Sequence, residues 1–191
     1  MKLDNFIPYG RQSINQEDIN AVVNVLKSDY LTQGPLIHKF ETHISEKLGA
    51  KFAVSSNSAT SALHISCLAL DIKENDIVWT SPNSFVASAN CALYCGAKID
   101  FVDISLETGL ISIEKLVDKL EKARKNDSLP SLLIPVHLTG GSCNMREIKK
   151  LSNEYGFRIL EDASHALGGK YENKYVGSCE FSDITVFSFH P

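Results

Sequence analysis

Short apolar segments alternate with helix-like segments from residue 52 to the last residue. The predicted strands are 52–54, 77–80, 98–102, 132–136, 157–162 and 184–189, and the intervening helices begin near residues 59, 85, 113 and 145. Such alternation predicts an α/β fold with a mostly parallel sheet and a ligand site at the carboxyl ends of its strands. Because no linker-like stretch interrupts the pattern, we expect one domain.

Two further helices are predicted before the alternating region, after an extended arm over residues 1–14. Asn15 is suited to cap the first of them. The apolar residues of this helix recur at the spacing of one helical face: Ile19, Val22, Val23 and Leu26. Pro35 suits the first turn of the second helix, and Gly49 its end.

Composition excludes several classes of function. The formal net charge of the 191 residues is -4, which gives no general basic field for nucleic acid. The five cysteines are odd in number and lack zinc-site spacing, so we expect reduced, mostly buried thiols and no metal. Neither a signal peptide nor a membrane span is evident. These features predict a cytoplasmic protein without a membrane partner.

Two adjacent carboxylates, Glu161 and Asp162, end the apolar strand at 157–162. A carboxylate buried at a strand end needs a cationic partner, because an unpaired buried charge is costly. No Arg or Lys stands at helical or strand spacing to provide one. A ligand with a protonated nitrogen would satisfy Asp162. A plain helix-capping role is the alternative for this residue.

Small hydroxyl residues fill the loop at 55–61, between a predicted strand and a helix. Small side chains let a ligand approach the backbone, and free N–H groups at a helix start favour a phosphate. Simple capping by Ser58 or Thr60 explains the same residues. No glycine-rich dinucleotide or P-loop motif is present.

The segment EDASHALG at 161–168, followed by FSFHP at 187–191, resembles the DegT/DnrJ/EryC1/StrS aminotransferase family. The resemblance implies pyridoxal 5′-phosphate (PLP) as cofactor and a three-layer α/β/α large domain of the fold-type-I PLP-dependent transferases. It also implies that the Schiff-base lysine falls two positions after Pro191. We therefore expect residues 1–191 to contain the N-terminal arm and most of the PLP-binding large domain, without the small C-terminal domain. On this expectation the chain holds no catalytic lysine and is inactive by itself.

The resemblance also implies roles for individual residues. Asp162 corresponds to the partner of the pyridine nitrogen, and Phe85 to the aromatic residue that stacks on the ring. The phosphate is assigned to residues of two separate segments: Ala59, Thr60 and Ser188. His165 corresponds to the residue near the ring oxygen of the cofactor. Without the resemblance, Phe85 would be read as core and His165 as structural, while Glu161, His137 and His190 receive no catalytic role.

Within the family, motifs such as SPNSFVASAN at 81–90 and PVH at 135–137 resemble members that aminate C4 of a UDP-4-keto-6-deoxy-N-acetylhexosamine on the route to pseudaminic acid. Glutamate is the implied amino donor, and a homodimer the implied assembly. The positions that approach the nucleotide-sugar in these members correspond to Tyr9, Asp29, Tyr30, Leu31 and Thr32.

Two other functions fit the same residues. One is a PLP-dependent sugar dehydratase of the same family, in which His replaces the lysine. The other is a non-catalytic binding protein built on this fold. A stable product that shows no PLP-dependent absorbance change would favour the second.

Overall fold

The computed structural model describes residues 10–190. It begins with two helices, α1 (Gln16–Leu26) and α2 (Pro35–Leu48). The Asn15 side chain accepts hydrogen bonds from the N–H groups of Glu17 and Asp18, which confirms the predicted cap. Gly49 ends α2 in the left-handed conformation, with a φ of 77°.

Five parallel strands form the central sheet: β1 (Ile77–Thr80), β2 (Lys98–Phe101), β3 (Leu132–Ile134), β4 (Arg158–Asp162) and β7 (Ile184–Val186). Their order in the sheet is β2-β1-β3-β4-β7. A separate antiparallel hairpin, β5 (Lys170–Tyr171) with β6 (Lys174–Tyr175), lies between β4 and β7 in the chain.

Helices cover both faces of the sheet. Two helices, α3 (Ala59–Ala69) and α4 (Ala87–Tyr94), supply core residues packed with Val78, Leu132, Leu160 and Val186 on one face. Two others, α5 (Ile113–Lys125) and α6 (Met145–Tyr155), supply core residues packed with Trp79, Leu133 and Ile159 on the opposite face. This arrangement confirms the predicted three-layer α/β/α fold.

The strand predicted at 52–54 is wrong. The segment belongs to no sheet, and the side chains of Phe52 and Val54 are 76% and 85% exposed. Instead, Glu41 of α2 holds the chain just after it, accepting hydrogen bonds from the backbone N–H and the hydroxyl of Ser55 at 2.8 and 2.9 Å. The apolar residues at 52–54 thus form no strand, because no neighbouring strand pairs with them.

The cysteines are all free, and three of them (Cys67, Cys91 and Cys143) are buried, as predicted. Among residues 10–190, no helix combines the length and the apolarity needed to cross a membrane. No group of three His, Cys, Asp or Glu side chains within the same residues is arranged to hold a metal ion.

Candidate functional site

The carboxyl ends of the strands gather most of the residues singled out in the sequence. Asp162 is the last residue of β4 and pairs with Val186, the last residue of β7. Phe85 lies in the turn between β1 and α4. Because α3 leads into β1 and packs beside the parallel strands, its first residues, Ala59 and Thr60, lie at this same edge. The edge therefore combines a carboxylate, hydroxyl groups and a helix start.

Asp162 is buried, with 4% of its surface exposed. Its Oδ2 accepts a hydrogen bond from the Ser88 hydroxyl at 2.6 Å. Its Oδ1 accepts one from the Ser164 hydroxyl at 2.7 Å and one from the Ser164 backbone N–H at 3.2 Å. None of the described Lys, Arg or His side chains forms an ion pair with it. The charge of Asp162 thus lacks a cation within residues 10–190.

A chain of hydroxyl groups connects Asp162 to the turn that carries Phe85. The Ser88 hydroxyl donates to Asp162, so the hydroxyl of Ser84, 2.6 Å away, donates to that of Ser88. Ser84 precedes Phe85, whose side chain is 73% exposed at this edge. The alternative of Phe85 as a core residue is therefore wrong for the described chain.

The first turn of α3 retains two free donors. Ser58 is the N-cap, and its hydroxyl accepts from the N–H of Ser61 at 3.2 Å, as the capping alternative predicted. The N–H of Ala62 bonds to the carbonyl of Ser58. The backbone N–H groups of Ala59 and Thr60 have no hydrogen-bond partner among the described residues. Capping therefore leaves a helix start that can still bind an anion.

His165 lies in the turn after β4 and is exposed. Its Nδ1 accepts a hydrogen bond from the backbone N–H of Thr139 at 3.2 Å. Because a backbone N–H can only donate, the neutral ring carries its proton on Nε2. Nε2 is then the nitrogen of His165 that can donate a hydrogen bond to a ligand.

Ser188 lies two residues beyond the end of β7 and is partly buried. Its hydroxyl accepts a hydrogen bond from the N–H of His190 at 3.2 Å. The N–H of Ala163 donates to the carbonyl of Val186 at 2.8 Å, so the pairing of β4 with β7 continues to this edge. Ser188 therefore follows the strand that pairs with β4, two residues past Val186, the partner of Asp162.

The structure provides less information about the predicted substrate residues. Asp29, Tyr30, Leu31 and Thr32 lie in the exposed loop between α1 and α2. No hydrogen bond joins their side chains to the strand ends within residues 10–190, and their substrate role stays a prediction. Tyr9 lies outside the described residues.

Sequence reasoning missed a buried pair, His137 and Glu161. The His137 Nε2 lies 2.6 Å from Glu161 Oε2, and Glu161 Oε1 accepts hydrogen bonds from the Ser182 and Thr185 hydroxyls. Burial raises the pKa of Glu161, but the hydrogen bonds, above all that from His137, outweigh burial and hold the pKa below its ordinary value. The partners are 21 to 24 residues apart in sequence, so no local pattern reveals them.

Comparison with known proteins supports the fold and the family. A model of the DegT/DnrJ/EryC1/StrS aminotransferase family matches residues 12–191. The chain belongs to this family. The PLP cofactor implied by the sequence is the cofactor of these aminotransferases.

One similar relative is the UDP-4-amino-4,6-dideoxy-N-acetyl-beta-L-altrosamine transaminase of Campylobacter jejuni, 44% identical over 97% of this chain and 47% of the relative. Another is the solved structure of Helicobacter pylori PseC, an aminotransferase involved in the biosynthesis of pseudoaminic acid. It is 35% identical with a TM-score of 0.85, over 96% of this chain and 47% of that one. A family aminotransferase from Brucella abortus is 27% identical with a TM-score of 0.85, over 91% and 46%. The chain spans about half the length of the relatives it matches.

The residues at the strand ends fit PLP on observations of this structure. A buried carboxylate without a cation suits the protonated nitrogen of a pyridine ring. The free N–H groups at the start of α3 suit a phosphate. An exposed Phe85 ring suits stacking on a flat heterocycle. Ser88 and Thr139 were not predicted as site residues, although Ser84 and Ser88 stand one helical turn apart in the sequence.

Proposed function

We propose that this chain is part of a PLP-dependent nucleotide-sugar aminotransferase. The observation that carries the proposal is Asp162, a buried carboxylate with three hydrogen-bond donors and no cationic partner among the described residues. The bound cofactor supplies an electron sink that lets an amino group move from a donor to a keto sugar. The protein's own part is to bind the cofactor and keep its ring protonated.

Each residue has a distinct proposed task. The Asp162 carboxylate holds a proton on the pyridine nitrogen, while Ser88 and Ser164 keep the carboxylate in place. The backbone N–H groups of Ala59 and Thr60 and the hydroxyls of Thr60 and Ser188 bind the phosphate. Phe85 covers one face of the ring and excludes water from it. His165 donates from Nε2 to the ring oxygen.

The proposed substrate is a UDP-4-keto-6-deoxy-N-acetylhexosamine, with glutamate as donor. The amino group of glutamate would replace the C4 keto oxygen, giving 2-oxoglutarate and the 4-amino sugar of the pseudaminic acid route. The names of the similar transaminase of C. jejuni and of PseC support this choice. Tyr9 and the loop residues Asp29, Tyr30, Leu31 and Thr32 would contact the nucleotide-sugar.

A homodimer is proposed as the working assembly. Its support is helix α1, because none of its residues is buried within the described chain. The covalent lysine is proposed to lie two positions after Pro191, so amino transfer is to be assayed on a gene product that extends past that residue.

The cofactor proposal can be tested on the 191-residue chain. PLP is titrated into it, and binding is followed by the absorbance of the cofactor and by equilibrium dialysis. Asp162→Asn should weaken binding by about ten- to a hundredfold, since hydrogen bonds to charged groups contribute about 1.5–3 kcal/mol. Asp100→Asn, on the distant edge strand β2, is the matched control and should bind like the parent. If Asp162→Asn bound PLP as tightly as the parent protein, the proposal would be rejected.

The reaction itself is tested on the extended protein with a UDP-4-keto sugar and glutamate. Equal amounts of 2-oxoglutarate and of the 4-amino sugar, measured by mass spectrometry, are expected. Loss of a sugar hydroxyl without formation of 2-oxoglutarate would instead identify a dehydratase.

A further inference from the structure

A buried polar network lies on the side of β4 opposite to Asp162. Successive residues of a strand point to opposite faces, and Glu161 precedes Asp162. His137 is completely buried and Glu161 almost so. Glu161 also accepts hydrogen bonds from the hydroxyls of Ser182, which precedes β7, and Thr185, which lies within it. No step proposed above uses this network, although it adjoins the candidate cofactor site.

The hydrogen bonds fix the proton of His137. Its Nδ1 accepts from the backbone N–H of Cys143 at 3.1 Å, so this nitrogen carries no proton. The proton is therefore on Nε2 and is donated to Glu161 Oε2 at 2.6 Å. The ring is held from two sides, and its orientation is set by the carboxylate.

His137 holds both ends of the loop that contacts His165, one through its backbone and the other through its ring. At one end, the backbone N–H of His137 donates to the carbonyl of Asp162 at 3.0 Å. At the other end, Cys143 donates to the His137 ring. Between them, a 3-10 turn, Leu138–Gly140, contains Thr139 with a left-handed φ of 57°. Thr139 is the residue whose N–H reaches His165 Nδ1.

We propose that the His137–Glu161 pair is a positioning unit for His165. Glu161 fixes the His137 ring, and the ring closes the loop 137–143. The loop then presents the Thr139 N–H to His165, leaving Nε2 of His165 as the donor at the strand ends. This assignment depends on the proposed function only in the identity of the group that accepts the hydrogen bond from His165. The hydrogen bond between Thr139 and His165 exists without any cofactor and can be measured alone.

The bond can be observed directly by NMR on the cofactor-free chain labelled with nitrogen-15. A scalar coupling across the hydrogen bond between the Thr139 amide nitrogen and His165 Nδ1 is expected in the parent protein, together with slow exchange of the Thr139 amide proton. His137→Phe keeps a planar ring of similar size but removes both of its hydrogen bonds. The coupling should disappear, and exchange at Thr139 should accelerate about tenfold or more.

Two further variants separate positioning from mere stability. His137→Asn retains a side-chain oxygen that can accept from Cys143, so it should restore part of the protection at Thr139. The double change His137→Phe with Glu161→Leu replaces the pair by apolar groups, which often leaves stability intact. If His137→Phe alone fails to fold, the double variant provides the test. We expect the double variant to lose the coupling as well.

Ser152→Ala is the matched control. The Ser152 hydroxyl is buried on α6 and donates to the carbonyl of Phe157 at 2.5 Å, outside the network. Its loss should lower stability while leaving the coupling unchanged. A folded His137→Phe or double variant with the parental coupling and exchange rate would overturn the proposal, as would absence of the coupling in the parent. Failure of PLP to bind would count against the proposed function but not against this result.

Discussion

Asp162 combines burial, three hydrogen-bond donors and the lack of a cation among the described residues. Together these donors occupy acceptor positions on both carboxylate oxygens. Hydroxyl and amide groups do not neutralise the charge, however. Asp162 can therefore still accept a cationic ligand atom, as proposed, and the Ser88 hydroxyl donates to it at 2.6 Å.

Replacing Ser88 by Ala should lower the free energy of unfolding by about 1–3 kcal/mol, since a buried Asp162 oxygen loses its donor. Ser84→Ala removes the next hydroxyl in the same chain and leaves the bond between Ser88 and Asp162 in place. It should cost less, about 1 kcal/mol or below. Urea denaturation of the cofactor-free variants measures both. If both variants lost the same free energy of unfolding, the contact of Ser88 with Asp162 would contribute no more to stability than the contact of Ser84 with Ser88.

Glu161 makes stability depend on pH in acid. Its pKa in the folded chain lies below the ordinary value, because the bonds from His137, Ser182 and Thr185 outweigh burial. The folded state thus binds fewer protons than the unfolded state around pH 4, and the stabilisation is lost as the pH falls through the lowered pKa. Glu161→Gln should cost about 1–3 kcal/mol at pH 7.

The cost of Glu161→Gln should shrink as the pH drops below about 4, the ordinary range of a glutamate. Urea denaturation of parent and variant between neutral and acid pH gives this difference directly. Exposed Glu114→Gln, on α5, provides the matched comparison and should show little effect at any pH. A difference between parent and Glu161→Gln that stayed constant with pH would contradict the assigned protonation.

Helix ends were well predicted because their signals are local. Asn15 caps α1 and Gly49 ends α2, as predicted, and Ser112 and Asn144 likewise cap α5 and α6. The error at 52–54 arose because a strand requires a partner, which no short window can reveal. The apolar residues there favoured a strand, but no strand lies beside them. The Glu41 carboxylate of α2 instead accepts the hydrogen bonds of the adjacent Ser55.

Gly156 allows the chain to turn from α6 directly into β4, the strand that ends at Asp162. Its φ is 84°, and an added Cβ would meet no atom within 4 Å. Gly156→Ala should therefore cost about 1 kcal/mol from backbone strain alone, with no steric clash. Gly156→Asn should cost less, because Asn adopts this conformation more readily. Thermal unfolding ranks the two variants, and the opposite order would refute the conformational explanation.

At the scale of the whole molecule, the sheet topology allowed the location of the candidate site to be predicted. Once the strands are parallel, the ends of β4 and β7 and the start of α3 must meet at one edge, so residues distant in sequence could be grouped in advance. The contacts of Ser88 and of Thr139 could not be predicted, because they depend on how a helix and a loop pack on that edge. The same limit applies to the His137–Glu161 pair.

Helix α1 leaves apolar side chains uncovered, because none of its residues is buried within the described chain. Val22 and Leu26, which belong to the apolar face predicted for α1, are 60% and 65% exposed. Contiguous exposed apolar groups favour association, and the proposed homodimer would cover them. Changing both residues to Glu should shift the chain toward monomer in sedimentation velocity across a range of concentrations. Asn20→Glu with Asn24→Glu adds the same charge elsewhere on α1 and should leave association unchanged; identical behaviour of the two pairs would exclude this face from self-association.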